Sequence, residues 1–103
     1  TLITTNFVVA ELHALLLSRI DRQIAARTLA EIDSSQRTII IRVSTDDELR
    51  AREIVFGDAD KDFSLTDATS FAVMERFGIV EAFAFDDHFA QFGWNVMPPT
   101  ERR

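Results

Sequence analysis

Short apolar runs alternate with helical segments along the whole chain, and this alternation constrains the fold more than any other feature. Ile39-Ile40-Ile41, inside residues 38–43, is β-branched, too short for a helix and too apolar for an exposed strand. It reads as a buried, parallel strand. Leu2-Ile3-Thr4 reads as the tail of a short buried strand, Ala82-Phe83-Ala84-Phe85 as another, and Asn95-Val96-Met97 as an edge strand before Pro98-Pro99. Between them lie helical patterns. One starts at Asn6, with Phe7, Val8, Leu12, Leu15 and Leu16 as its apolar stripe. A second starts at Asp21, with Ile24, Thr28, Leu29 and Ile32 sharing a face, and closes at Ser34-Ser35-Gln36. A third opens on Thr45-Asp46-Asp47-Glu48, a capping box with Thr45 as N-cap, and stops at Gly57. A fourth opens at Ser64-Leu65-Thr66-Asp67 and runs through Phe77 to Gly78. A short helical turn over residues 88–92 ends at Gly93. Strands alternating with helices imply right-handed βαβ units and a parallel sheet covered on both faces.

With 103 residues the chain has the size of one domain. Eleven basic residues stand against 17 acidic ones, a net charge of −6, which excludes polyanion or membrane-surface binding by bulk positive charge. The absence of cysteine excludes disulfide scaffolds, thiolate metal sites and cysteine nucleophiles, and fits a cytoplasmic protein. No apolar run reaches the roughly 20 residues of a membrane span, so no membrane association is expected. The chain begins without an initiator methionine or a signal-peptide pattern.

In open parallel sheets the ligand site lies off the carboxyl ends of the strands. Asp86 directly follows the strand at residues 82–85, Glu11 lies in the early turns of the helix after the first strand, and Asp67 lies in the first turn of the helix opened by Ser64. A parallel sheet would bring these acids to one edge. Clustered carboxylates repel, and a divalent cation is the common compensation. All-oxygen ligation favours magnesium or manganese over zinc and suits phosphodiester hydrolysis. Each acid also has a structural reading. Asp67, three residues after Ser64, fits a capping box; Glu11 fits a solvated helix position; Asp87 competes with Asp86 for the same role.

Other motifs carry less. Asp58-Ala59-Asp60-Lys61-Asp62 mimics a calcium loop, but Phe63 and Thr69 occupy its required glycine and glutamate positions. His13 reads as a packing residue, and His88 as a local helix-start group that could also touch substrate. Ser64 and Ser70 have no histidine at a spacing that suggests serine-hydrolase chemistry. Phe71, Phe77, Phe83 and Phe85 read as core, and Arg19, Arg22, Arg27, Arg37, Arg50 and Arg52 as mostly a solvated face.

Three blocks together carry a resemblance: Thr4-Thr5-Asn6-Phe7-Val8-Val9-Ala10-Glu11, Asp62-Phe63-Ser64-Leu65-Thr66-Asp67-Ala68-Thr69-Ser70-Phe71-Ala72-Val73-Met74, and Ala82-Phe83-Ala84-Phe85-Asp86-Asp87-His88-Phe89 followed by Gly93. In order and spacing the chain resembles PIN-domain proteins, particularly the small ribonucleases of VapC-type toxins. The resemblance implies a three-layer α/β/α fold with a central, mostly parallel sheet. It implies magnesium- or manganese-dependent RNA cleavage, with Glu11, Asp67 and Asp86 as metal-binding catalytic acids and Asn6 and Thr66 as polar neighbours of the site, to which Asp87 is added for its place beside Asp86. It also implies a homodimer and an antitoxin partner. PIN domains normally open with a strand bearing an aspartate, and no counterpart precedes Thr1, so the chain reads as an N-terminally incomplete PIN-like domain. That departure motivates a second reading: a non-catalytic PIN-like module whose acidic pocket receives an arginine from a protein partner.

Overall fold

The computed structural model describes residues 2–57, 62–79, 81–83 and 95–97. The chain forms two compact units, Thr1–Val43 and Ser44–Arg103.

In the first unit, strand β1 (Leu2–Thr5) is followed by helices α1 (Asn6–Arg19) and α2 (Arg22–Ser34) and strand β2 (Thr38–Ile41). β1 and β2 pair in parallel, Leu2 opposite Thr38 through Thr5 opposite Ile41. Parallel neighbours need a crossover, and the two helices provide it. Each helix starts where a side chain satisfies an otherwise unpaired amide. The Val8 N–H donates to Thr5 Oγ1 (3.2 Å) and the Ile24 N–H to Asp21 Oδ1 (2.8 Å). The expected strand burial is incomplete: Ile39 is 50% exposed, because a two-stranded sheet shields little of its own faces. The expected α1 stripe is also only partly covered. Phe7, Val8 and Leu16 are half-buried, whereas Leu12 and Leu15 are exposed. The groove between α1 and α2 is lined by Val9, Leu12, His13, Leu16, Ala25 and Leu29, which gives His13 the packing place read from sequence.

In the second unit, α3 (Thr45–Gly57) and α4 (Leu65–Phe77) precede β3 (Glu81–Phe83) and β4 (Asn95–Met97), which pair in parallel. The helix signals need two corrections. The N-cap of α3 is Ser44, not Thr45: the Asp47 N–H donates to Ser44 Oγ (3.1 Å), and Asp47 Oδ2 accepts from the Ser44 N–H (2.9 Å). The box closes one residue earlier than expected, on a carboxylate that also has a partner on α4. Gly57 is the last helical residue rather than a left-handed cap. Gly78, by contrast, ends α4 in the left-handed region at φ 67°. Its N–H reaches the Glu75 carbonyl (3.2 Å) and the Ile79 N–H reaches the Met74 carbonyl (2.9 Å), a Schellman closure.

Ala51, Ile54, Phe63, Ala68 and Phe71 form the core between α3 and α4, with Val55 packed against it. The Phe63 and Phe71 rings meet edge to face, centroids 5.0 Å apart. Such a pair adds roughly 0.5–1.5 kcal/mol beyond its area burial. Phe63 falls in a stretch that reads as polar loop, so its burial is legible only in three dimensions. Phe77, read as core, is 51% exposed and lies under the Arg76 guanidinium, 4.4 Å from the ring centroid. It follows the arginine at the end of the helix, where the apolar contact surface has run out. Phe83 shares β3, while Phe85 lies outside the described residues.

Candidate functional site

The carboxyl ends of β1 and β2 are tied together by a single side chain. Asn6, the first residue of α1, accepts a hydrogen bond at Oδ1 from the Val43 N–H (2.8 Å), two residues past the end of β2. The buried Thr5 hydroxyl caps the same helix. Strand end, helix start and the segment leaving β2 are thus held at one place. Glu11 follows Asn6 by about a turn and a half of helix and presents its carboxylate to solvent.

In the second unit, Asp67 occupies the third residue of α4 and completes a reciprocal box with Ser64. Its N–H donates to Ser64 Oγ (3.0 Å), and its Oδ2 accepts from the Ser64 N–H (3.4 Å). The capping reading of Asp67 is therefore correct. It does not compete with a ligand reading, since a carboxylate offers about four acceptor positions. Thr66 is half-buried, and its carbonyl accepts from Thr69 Oγ1 (2.7 Å). Asp86, Asp87 and His88 lie outside the described residues. Among the described residues, no three acidic, histidine or cysteine side chains gather in one metal-sized group. The expected donors, all carboxylates in a chain without cysteine, fit a hard cation such as magnesium or manganese in kind.

Two groups of charged side chains stand beside the expected acids. The first is the buried Asp47, which Arg76 grips through Nε (2.9 Å) and Nη2 (2.8 Å). Burial alone would raise the Asp47 pKa, but the hydrogen bonds from Arg76 and from Ser44 outweigh it and hold the carboxyl below its usual value. Arg50 makes the reversed pair, donating to both carboxylate oxygens of Glu75 (2.8 and 3.1 Å) and to Glu53 (3.3 Å). α3 therefore offers an acid and a base to a base and an acid on α4. The signal was present as Asp47 and Arg50, three apart on one helix face, but their partners lie 29 and 25 residues away.

The second group is the free arginines. Residues 1–43 carry five arginines and four acids, so the whole acidic excess lies after Val43. Arg19, Arg22, Arg27, Arg37 and Arg42 are exposed, and none forms an ion pair among the described residues. The reading as a solvated face holds for Arg19, Arg22, Arg27 and Arg37, whereas Arg50 is committed to α4 and Arg52 to the Glu48 carbonyl (3.3 Å).

No family model matches the chain. Known proteins do. The chain is 36% identical over 96 residues to the 23S rRNA-specific endonuclease VapC20 of Mycobacterium tuberculosis, in both strains CDC 1551 / Oshkosh and ATCC 25618 / H37Rv. The match spans 93% of this chain and 72% of the relative. The crystal structure of Mycobacterium tuberculosis VapC20, described as a sarcin-ricin loop cleaving toxin, superposes with a TM-score of 0.83 at 37% identity, covering 89% of this chain and 70% of that one. Fold and sequence thus agree on a PIN-type nuclease architecture. The chain belongs to the VapC family of PIN-domain ribonucleases.

Proposed function

We propose that this chain is an endoribonuclease toxin that cleaves RNA phosphodiester bonds with the help of magnesium or manganese, acting as a single PIN-like domain. The observation that carries the reading is the 36% identity to a named rRNA endonuclease across 93% of the chain. By the same likeness, 23S rRNA is the first substrate to try. Glu11, Asp67 and Asp86 would hold the cation, which when bound neutralises phosphate charge and activates water for attack. Asp67 is suited to this because its cap bond to Ser64 fixes the carboxylate at the rim of α4. Asn6 would act as an anchor, since its bond to the Val43 amide holds the end of β1 against the segment leaving β2. Thr66 and Asp87 would flank the acids. The arginines of the first unit, without ion pairs among the described residues, offer phosphate contacts that a net charge of −6 otherwise denies the chain. A protein antitoxin and a second copy of the chain are the proposed partners, and the cytoplasm the proposed compartment. No helix among the described residues is long and apolar enough to cross a membrane.

The test is cleavage of 23S rRNA by the purified chain with manganese, with and without a chelator, alongside Glu11→Gln, Asp67→Asn and Asp86→Asn. We expect cleavage that the chelator stops and that each variant lowers by about 100-fold. Cleavage indifferent to the chelator, or full activity in all three variants, overturns the reading. An intact RNA together with tight capture of an arginine-bearing partner peptide would favour a non-catalytic acidic module instead.

A further inference from the structure

α4 is buried along seven consecutive residues, from Ala68 to Met74, and two of the first three carry hydroxyls. Thr69 is fully buried and spends its hydroxyl on the Thr66 carbonyl (2.7 Å). Ser70 is 7% exposed, and its hydroxyl has no hydrogen-bond partner among the described residues. A buried hydroxyl left unpaired costs free energy, and such groups in native proteins have a reason. Alanine would fill the same place in a helix already rich in Ala68 and Ala72, at better helix propensity and with no polar atom to satisfy.

The place of Ser70 on the helix suggests the reason. It stands three residues after Asp67, so the two side chains share a face with their Cβ atoms about 5–6 Å apart. No direct bond joins the two side chains among the described residues, although at this spacing both can reach one shared oxygen atom. Asp67 itself is directed by its bond to the Ser64 amide at the open end of the helix.

We propose that Ser70 is a positioning residue for the cation site built on Asp67, its hydroxyl donating to an oxygen ligand that the Asp67 carboxylate also holds. The proposal rests on the reading of Asp67 as a cation ligand. Ser70 forms no bond to substrate and carries no covalent chemistry; it fixes one oxygen of the hydrated cation, as outer partners of metal ligands do.

The experiment is manganese binding by calorimetry on the full chain, with manganese alone as the probe, for the parent, Asp67→Asn, Ser70→Ala and Ser70→Cys, each with a melting curve. Asp67→Asn should abolish binding. Ser70→Ala should weaken it by about tenfold while melting at or above the parent temperature, because an unsatisfied hydroxyl has been removed. Ser70→Cys, close in volume and a weak donor, should fall between and guards against an alanine variant that fails to fold. In rRNA cleavage, Ser70→Ala should lower kcat with KM retained. Parent-like manganese binding in both Ser70 variants, with binding lost in Asp67→Asn, overturns the role of Ser70 alone. No manganese binding by the parent, or binding unchanged in Asp67→Asn, overturns the cation reading of Asp67 and the proposal with it.

Discussion

Asp47 and Arg76, 29 residues apart, clasp each other through two hydrogen bonds of 2.9 and 2.8 Å, with the carboxylate almost fully buried and the guanidinium partly open to water. The same carboxylate caps α3 through the Ser44 amide. One side chain therefore both starts a helix and docks it against its neighbour.

Replacing Asp47 by alanine should cost about 2 kcal/mol, from the lost cap and the lost charged hydrogen bonds. Urea denaturation at neutral pH measures it. A loss below about 0.5 kcal/mol would mean that the pair behaves like an exposed ion pair.

The pair should also set part of the acid response. Asp47 is held below its ordinary value, so the stability it contributes is fully present above the unfolded carboxylate pKa and is lost as pH falls through the lower native value. As pH falls below the ordinary carboxylate range, the parent should lose more stability than Asp47→Asn. Parallel acid curves for the two proteins would remove this group from the account.

Arg50 and Glu75 form the reversed clasp, but both side chains are 36% exposed or more. Glu75→Gln should therefore change stability by only about 0.5 kcal/mol or less, and by less still in high salt. A cost equal to that of Asp47→Ala would show the surface pair to be as important as the buried one.

The two phenylalanines of α4 separate core from surface. Phe71→Ala should cost about 3–5 kcal/mol, enough to leave much of the chain unfolded. Phe77→Ala should cost about 1 kcal/mol or less, since that ring is half exposed and makes one cation contact. Melting curves of the pair settle the contrast, and equal losses would contradict it.

The glycines should respond with opposite signs. Gly78→Ala places a Cβ at φ 67° and should cost about 1 kcal/mol through backbone strain alone, because nothing lies within 4 Å. Gly57→Ala, also with open space around it but helical backbone, should stabilise by about 0.5 kcal/mol. Two variants shifting the same way would overturn the assignment of the helix ends.

Element order was legible because it depends on local chemistry. The β-branched run at Ile39–Ile41, the capping residues Asp21 and Ser64, and Gly78 each act within a few residues of themselves, and the helices and parallel strands follow. The three-block pattern around Glu11, Asp67 and Asp86 was equally legible, and likeness to a VapC toxin across most of the chain supports the family it indicated. What the sequence by itself determined is thus the class of fold and the family. Only the tertiary structure decided which carboxylates pair across helices. Ser44 replaced Thr45 as the cap of α3 through a box with Asp47, whose carboxylate also meets Arg76 on another helix. Phe63 joined the core from an apparent loop, Phe77 left it, and Ser70 kept a buried hydroxyl without a partner among the described residues. The physical reason is the same in each case. Capping and strand propensity are set by neighbours in the chain, whereas burial and ion pairing are set by neighbours in space, and a residue 29 positions away leaves no local mark.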